Sequence, residues 1–427
     1  MKRTIIYFVV FITLVFPVSA RDIAMPRLAI PTAATNGFGG THIAYTDNVF
    51  ALLVNPAAIM RVQQMSFFTL APSLMNPQMT VDSIRYTRDA LSAMDDDNEL
   101  GDFFGEIADK LSDRHGKLAM GLELREFPLS FAWVANGFGV GAWSRSYMNV
   151  VNIEGLWLST NNYVDLVIPV GFAFKILDFD SHAVDIGITL KPFARAIFQG
   201  QETITELTDG NSELAAWLDT PLMMGFGFDL GLLYRWNTGL SAGVTFTDIY
   251  TRGNVIRQMI TDEFNNQNNN TYYIPFAMNL GVAYDFRLGN FWSEAPSLLS
   301  SLGFTVALDW RNFTGVFQQD DYLNYRNTAL DIGVGLQVSW LDMFKVRVGM
   351  SEMLPAFGLG FAIGPFEIDL AYYGRELGRE PGLFPTAVVD LSIAFRPQAK
   401  ERNWIWARRS IVGLITGGEA SSASESN

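Results

Sequence analysis

The sequence contains no cysteine and only three histidines, His42, His115 and His182, among its 427 residues. The lack of cysteine excludes disulfide bonds, thiolate metal sites and cysteine nucleophiles. The histidines lie far apart in the chain and share no ligand spacing, so a zinc site or a histidine-based catalytic centre is not expected. We therefore predict that the protein is not an enzyme and has no catalytic residue, metal or cofactor.

Charged residues are scarce as well, at 17% of the chain against about 25% in an average soluble protein. The formal net charge of −14 argues against nucleic acid as a partner, because an acidic surface repels it. Hydrophobic residues make up 49% of the chain, yet no segment offers the roughly 20 continuous apolar residues of a membrane-spanning helix. The composition indicates a surface that is partly covered by an apolar environment.

The first twenty residues have the features of an export signal. Lys2 and Arg3 form a basic start, an apolar run follows from Ile5 to Phe16, and the sequence VSA ends at Ala20 as a small-residue cleavage site. We therefore predict residues 1–20 to be a signal peptide and the mature protein to be exported.

Between about Ser66 and Phe395 the sequence alternates between apolar and polar or small residues. In LDIGVGLQVSW, the stretch that begins at Leu330, alternate residues are apolar, and the residues between them are Asp, Gly, Gly, Gln and Ser. This alternation predicts β-strands, either in a soluble sandwich or in a membrane barrel. It also predicts that Val334 faces lipid and Gly335 the lumen, so that serine at position 335 should cost far less than arginine at position 334.

Three features favour the membrane barrel over the sandwich. The segments run for about ten residues or more, whereas soluble strands average about five or six. Their apolar faces end in aromatic residues at Trp236, Trp310, Trp340 and Phe395, the position of interfacial girdles. Their polar faces carry charges that a dry core would not accept. We predict an all-β, porin-like transmembrane antiparallel β-barrel of about 14 strands in the bacterial outer membrane.

The predicted strands are separated by connections of alternating length. They cover residues 66–75, 127–135, 137–150, 163–176, 183–198, 222–236, 239–250, 273–286, 301–312, 328–340, 344–351, 356–363, 366–373 and 386–395. The first connection, Asn76 to Glu126, is long, and the second is the tight Asn136-Gly137 turn. Because outer-membrane barrels have short periplasmic turns, this alternation also predicts the orientation, with Leu288 to Ser301 as one long periplasmic exception.

Residues 21–62 lack the alternation and precede the first strand. They include apolar residues such as Ile30, Phe38 and Phe50, which need cover from water. A barrel of this strand number leaves an open lumen unless something fills it. We predict that residues 21–62 form a plug, or hatch, in the lumen of a barrel formed by residues 63–396. Residues 397–427 form a tail that we expect to be partly disordered.

Two motifs in the predicted plug resemble a known family. TDNVFALLVNPAAI, from Thr46 to Ile59, resembles the start of the long-chain fatty-acid transporter (FadL) family, with Asn55, Pro56 and Ala57 at the matching positions. GFGGTHIAYTD, which begins at Gly37, is similar to the FadL-like branch of spirochaete outer-membrane proteins and PorV. It is not a phosphate-binding loop, because it lacks the Lys-Ser/Thr pair.

The resemblance implies a fourteen-stranded barrel with a hatch, a groove that captures hydrophobic molecules, and lateral release through a kinked strand. The implied function is passive uptake of long-chain fatty acids or similar lipid-like ligands past the plug, with outer-membrane lipid as the surroundings. The residues expected to bind ligand or form the plug are Phe38, Phe50, Asn55, Pro56 and Ala57. The alternation also predicts lumen-facing cations that could meet a carboxylate or pair with acidic neighbours: Lys175, Lys191, Arg235, Arg311, Lys345 and Arg347.

A second function remains open from the sequence. A barrel of the PorV kind holds a periplasmic or secreted protein as cargo, and the serine-rich end of the chain, EASSASESN, gives this alternative some support. An enzyme would need a nucleophile with a nearby base, and the positions of His115 and His182 in predicted loops and turns do not provide one.

Overall fold

A closed antiparallel barrel forms the body of the protein in this computed structural model, which describes residues 23–24, 27–77, 118–152, 157–179, 181–203, 221–258, 271–291, 296–317 and 326–397. Each strand pairs with the next one in the chain, and the last pairs with the first, with Phe395 opposite Phe68 and Val388 opposite Met75. Counting interrupted strands once, the wall has fourteen strands, which confirms the predicted barrel.

We number the wall strands β1 to β14. Their bounds are β1 Gln64–Ser66 and Phe68–Met75, β2 Leu118–Ala135, β3 Phe138–Asn152, β4 Trp157–Val167 and Val170–Phe179, β5 His182–Thr203, β6 Pro221–Trp236, β7 Leu240–Thr247 and Thr251–Gln258, β8 Thr271–Ile274 and Ala277–Arg287, β9 Gly303–Trp310, β10 Ile332–Trp340, β11 Phe344–Ser351, β12 Leu354–Ile363, β13 Phe366–Glu376 and β14 Pro385–Phe395. An additional two-residue strand, Ile23–Ala24, pairs in parallel with the start of β8.

Every predicted strand segment overlaps one wall strand, but β2 begins at Leu118, nine residues before the predicted start. The first connection is correspondingly shorter than predicted. The predicted signal peptide and nearly all of the predicted tail lie outside the described residues. Within the described ranges, no helix has the length and hydropathy needed to cross a membrane.

The two faces of the wall follow the predicted alternation. In β10, Gly335 and Gln337 are buried on the inside, whereas Leu336 between them is 39% exposed on the outside. Leu308 and Val306 of β9 are exposed in the same way, with buried Ala307 between them. The outer surface is therefore apolar, as a wall in contact with lipid must be.

Aromatic side chains lie close together at the barrel end that carries the tight turns, which we call the short-turn end. Ring centroids are 5.2 Å apart for Phe286 and Phe304, 5.8 Å for Trp340 and Phe344, and 5.1 Å for Phe366 and Phe395. This matches the interfacial girdle of outer-membrane barrels and supports a location in the bacterial outer membrane. Two short helices lie in the long connection between β8 and β9 at this end. They are Leu288–Phe291 and Ser297–Ser300, numbered α3 and α4 because two helices of the N-terminal segment precede them in the chain.

Residues 27–62, the N-terminal segment, lie inside the barrel and contain two short helices and a 3-10 turn. Helix α1 (Ala33–Gly37) begins where the Thr32 hydroxyl accepts a hydrogen bond from the backbone N–H of Thr35. Helix α2 (Ala51–Val54) ends before the 3-10 turn Pro56–Met60, in which the N–H of Ala57 donates a hydrogen bond to the Asn55 side chain. Two further 3-10 turns, Phe313–Phe317 and Thr328–Asp331, connect β9 to β10.

One side of the N-terminal segment is joined to the wall by an apolar core. Leu52 and Ile59 are fully buried against inward side chains of the first half of the wall, including Trp143 and Leu233. Trp143 is also fully buried and stacks on Phe50 with ring centroids 5.4 Å apart. This part of the lumen is therefore packed like the core of a soluble protein.

Glycines on the inner face of the wall leave space for the backbone of the N-terminal segment around much of the barrel. A Cβ atom at Gly335 would lie 2.2 Å from the carbonyl oxygen of Phe38, and one at Gly187 would lie 2.3 Å from the backbone of Pro56. Real Cβ atoms do not approach other atoms so closely, so only glycine fits at these positions. The glycines that alternate with apolar residues in the sequence thus form a cradle for the N-terminal segment.

Candidate functional site

A cavity of about 580 Å³ lies between the N-terminal segment and the inner wall. Its size is within the range of roughly 300 to 1,000 Å³ that is usual for ligand pockets. The segment contributes its apolar surface, and Phe38, Phe50, Leu53 and Val54 line the cavity. Two of the predicted ligand-binding or plug residues, Phe38 and Phe50, therefore lie at the cavity.

The Asn-Pro-Ala residues lie elsewhere, against the glycines of β5 and β6, and they do not line this cavity. The Asn55 side chain is fully buried and donates a hydrogen bond of 2.9 Å to the carbonyl oxygen of Ile43 while accepting one of 3.1 Å from the N–H of Ala57. It joins two parts of the N-terminal segment. Pro56 and Ala57 are buried beside it, so these three residues fix the conformation of the segment.

Four of the six predicted lumen cations line the cavity: Lys191, Arg311, Lys345 and Arg347. Lys191 is buried between Asp229 and Asp248, at 2.8 and 2.7 Å. The Arg347 guanidinium lies 2.7 Å from Asp369 and also donates to Gln337.

The other two predicted cations lie away from the cavity. Lys175 pairs with Asp178, and the two side chains are 37% and 62% exposed. Arg235 lines a smaller cavity of about 360 Å³ at the short-turn end, where it pairs with buried Asp185.

Three cavity-lining cations form no salt bridge with any residue that the structure describes: Arg27, Arg311 and Lys345. Arg27 donates to the side-chain oxygen of Asn312 at 2.9 Å, and Arg311 donates to the Ser351 hydroxyl at 2.9 Å. Burial and the neighbouring Arg311 lower the pKa of His42 to about 4, so this histidine is neutral at pH 7. The cavity thus contains cations without a salt bridge to a described residue, and they lie beside apolar side chains.

The wall next to this cavity is interrupted between β1 and β2. The two strands pair at Ser66 and Ala132 and again at Ala71 and Arg125, so four residues of β1 and six of β2 are unpaired between these points. On the other side of β2, the register with β3 shifts between Arg125 and Ser130. Residues 126–129 therefore form a bulge, and the unpaired stretch is a gap in the hydrogen bonding of the wall.

Arg396, which directly follows β14, fills the inside of this gap and also lines the cavity. Its guanidinium lies 3.2 Å from Glu126 in the bulge and 3.0 Å from Glu367. It also lies over the Phe50 ring, 5.1 Å from the centroid. The Glu126 carboxylate accepts a further hydrogen bond of 3.1 Å from Ser130, whose hydroxyl is 3.3 Å from that of Thr69 across the gap.

Sequence reasoning missed this part of the site. Arg396 lies just past the predicted end of the last strand, and Glu126 was assigned to a loop. One signal was present in the sequence, because Pro128 lies within an alternating run and proline in a strand marks an edge or a bulge. The family resemblance implies a kinked strand but does not say which one; the structure shows a bulge in β2.

Outside the gap, the wall presents large apolar side chains. Phe127 and Leu129 of the bulge are each 41% exposed, and Phe131 is 39% exposed. Phe67 of β1 is 51% exposed and lies 6.1 Å from Phe131 between ring centroids. Arg396, Glu126, Ser130 and Thr69 therefore form a layer of polar contacts between the cavity and the apolar outer surface.

The chain was compared with known proteins. No family model and no curated protein sequence matches it. Among solved structures, it is similar to the CymD monoaromatic hydrocarbon channel (11% identity, TM-score 0.44, covering 88% of this chain and 99% of that one). It is also similar to the Pseudomonas putida toluene transporter TodX (11% identity, TM-score 0.41, covering 89% of this chain and 99% of that one). A third similar structure is a Pseudomonas aeruginosa FadL homologue (9% identity, TM-score 0.43, covering 89% of this chain and 100% of that one).

Proposed function

We propose that the protein is an outer-membrane channel for passive uptake of hydrophobic molecules, and that long-chain fatty acids are its solutes. The observation that carries the proposal is the meeting of the cavity with the gap in the wall at Arg396. A cavity that ends at a bulge in the barrel wall offers a molecule a way from the lumen into the membrane without crossing the whole lumen. Two of the similar structures, CymD and TodX, are named as a monoaromatic hydrocarbon channel and a toluene transporter, but their similarity to this chain is too low to contribute to the choice of solute.

The chemistry of the cavity supports an amphiphile with a carboxylate. Arg27, Arg311 and Lys345 supply positive charge that forms no salt bridge with a described residue, and Phe38 and Phe50 supply apolar surface beside it. A carboxylate with an acyl chain satisfies both, because charge-assisted hydrogen bonds hold the head while the chain is buried away from water. A neutral hydrocarbon could not form such bonds with the three cations.

The N-terminal segment acts as a plug in this proposal. It packs on both halves of the wall, so straight passage to the short-turn end would require it to leave an apolar core and a glycine cradle. Sideways release through the gap requires the displacement of only a few polar side chains. We assign the short-turn end to the periplasm, which places the gap toward the inner leaflet of the outer membrane.

The proposal is tested by closing the gap with a disulfide bond. The chain has no cysteine of its own, so Thr69→Cys with Ser130→Cys introduces a single pair at the 3.3 Å contact across the gap. In cells that lack another fatty-acid transporter, oxidation of this variant should abolish uptake of labelled oleate, and a reductant should restore it. The control is Val306→Cys with Leu336→Cys, a pair on the outer surface of β9 and β10.

Two results would contradict the proposal. One is uptake no higher than in cells without the protein, which would exclude the transport of fatty acids. The other is equal uptake by the oxidised and reduced gap variant, which would exclude the route. The alternative of a barrel that holds a protein cargo rests on the C-terminal tail, which lies outside the described residues apart from Pro397, and no observation in the barrel favours it.

A further inference from the structure

Arg396 holds the layer that separates the cavity from the gap, and it does so with two carboxylates. Glu126 belongs to the bulge of β2, and Glu367 belongs to β13. Arg396 and Glu126 are 5% and 2% exposed. Removing one partner of such a buried pair is costly unless another anion takes its place.

Glu367 and Glu126 differ in how firmly the backbone around them is held. Glu367 also accepts a hydrogen bond of 3.2 Å from Gln64, and it lies on a strand whose ladder with β14 is unbroken from Phe366 to Glu376. Glu126 lies in a stretch without ladder bonds to β1 or β3, where its contacts to Arg396 and Ser130 replace the missing backbone pairing. Loss of the Arg396 contact would therefore release the bulge, whereas β13 would stay in place.

We propose that Arg396 is the receptor for the anionic head group of the solute, and that the head group opens the gap by replacing Glu126 on the guanidinium. The inference rests on the proposed function and adds to it the residue that selects the anionic solute and the way in which the solute opens the gap. Because one carboxylate replaces another, the number of charge-assisted hydrogen bonds on Arg396 is conserved. Phe50, under the guanidinium, places apolar surface where the first carbons of the chain would lie.

Exchange of this kind makes opening depend on the charge of the solute. An alcohol of the same chain length has the same apolar surface but offers no carboxylate to replace Glu126, so release of Glu126 would cost Arg396 one of its two anionic partners. The wall would therefore stay closed to a neutral amphiphile and open to an acid. Without its ligand, the barrel keeps the gap sealed by its own carboxylate.

The test uses the Thr69→Cys, Ser130→Cys pair in purified barrel and follows the rate at which the disulfide bond forms. Oleate should slow the reaction in a saturable way because it moves the two cysteines apart, and oleyl alcohol should not. Arg396→Met in the same background should abolish the effect of oleate. Glu126→Gln should slow the reaction without any ligand, since an amide holds the guanidinium less tightly than a carboxylate does.

The matched control is Asp165→Asn, which breaks another buried pair, with Arg195, away from the gap and the cavity. It should leave the oleate effect unchanged. Equal effects of oleate and oleyl alcohol would overturn the inference, as would an unchanged oleate effect in Arg396→Met. These results are separate from the uptake assay: a barrel that takes up oleate but shows no acid-specific change at the gap would refute the inference and leave the proposed function standing.

Discussion

Replacement of Gly335 by alanine should displace the N-terminal segment without preventing barrel assembly. The new Cβ atom would lie 2.2 Å from the Phe38 carbonyl oxygen and 2.6 Å from a carbon of its ring. The segment must move, because β10 is held in ladders on both sides. Overpacking of this kind costs about 1 to 3 kcal/mol, which corresponds to a shift of about 5- to 150-fold toward the displaced segment.

The assay is the conductance of single barrels in planar bilayers, together with the rate at which a protease cleaves the N-terminal segment. Gly253→Ala is the control, because a Cβ there would be 3.3 Å from its nearest neighbour, the edge of the Phe193 ring. We expect Gly335→Ala to raise both the conductance and the cleavage rate, and Gly253→Ala to change neither. If the two variants behaved alike, the cradle would not be what seats the segment, and the steric argument would be refuted.

Three further predictions concern the wall, the N-terminal segment and the orientation of the barrel. Val334→Arg places a charge in lipid and should cost about 2 to 4 kcal/mol, seen as less folded barrel on unheated gels; an unaffected yield would show that this face does not contact lipid. Asn55→Ala removes two buried hydrogen bonds and should cost about 1 to 3 kcal/mol, which faster proteolysis of the segment would report and an unchanged rate would contradict. A single cysteine at Glu380 should react with an impermeant reagent on intact cells and one at Asn136 should not; the opposite labelling would reverse the orientation.

The wall was predictable from the sequence because its determinants are local. Alternation with a period of two fixes which residues face lipid, and tight turns such as Asn136-Gly137 fix where strands end. The strands β11 and β14 were located within one residue at either end. Even the placement of inward and outward residues in β10 follows from the alternation alone.

The role of the inward glycines could not be predicted in the same way. From the sequence, Gly335 faces a wet lumen, so a serine there should cost little. In the structure Gly335 instead contacts Phe38, a residue about 300 positions earlier in the chain. No space is left for a side chain at position 335, so the reason for expecting a small cost is wrong. Such a contact depends on how the N-terminal segment sits in the barrel, which no local pattern encodes.

The candidate site likewise has features that the sequence predicts and contacts that it does not predict. The sequence identified lumen cations, and Lys191, Arg311, Lys345 and Arg347 do line one cavity. It could not show which of them are neutralised, since the partner Asp248 of Lys191 lies 57 residues away in an interruption of β7. It also missed Arg396 and Glu126, whose contact joins positions 270 residues apart. These contacts depend on which strands lie next to or opposite each other in the closed barrel. The alternation of apolar and polar residues along one strand does not encode that arrangement.

The most direct test of the route is photo-crosslinking with a fatty acid that carries a diazirine at the end of its chain. The purified barrel in nanodiscs would be equilibrated with the probe and irradiated, and the labelled residues would be identified by mass spectrometry. The account predicts adducts on Phe50 and Trp143 inside the barrel and on residues 126–131, the stretch of β2 that is unpaired with β1, all suppressed by an excess of oleate. Adducts confined to outward residues around the whole barrel, as expected for any membrane lipid, would contradict it.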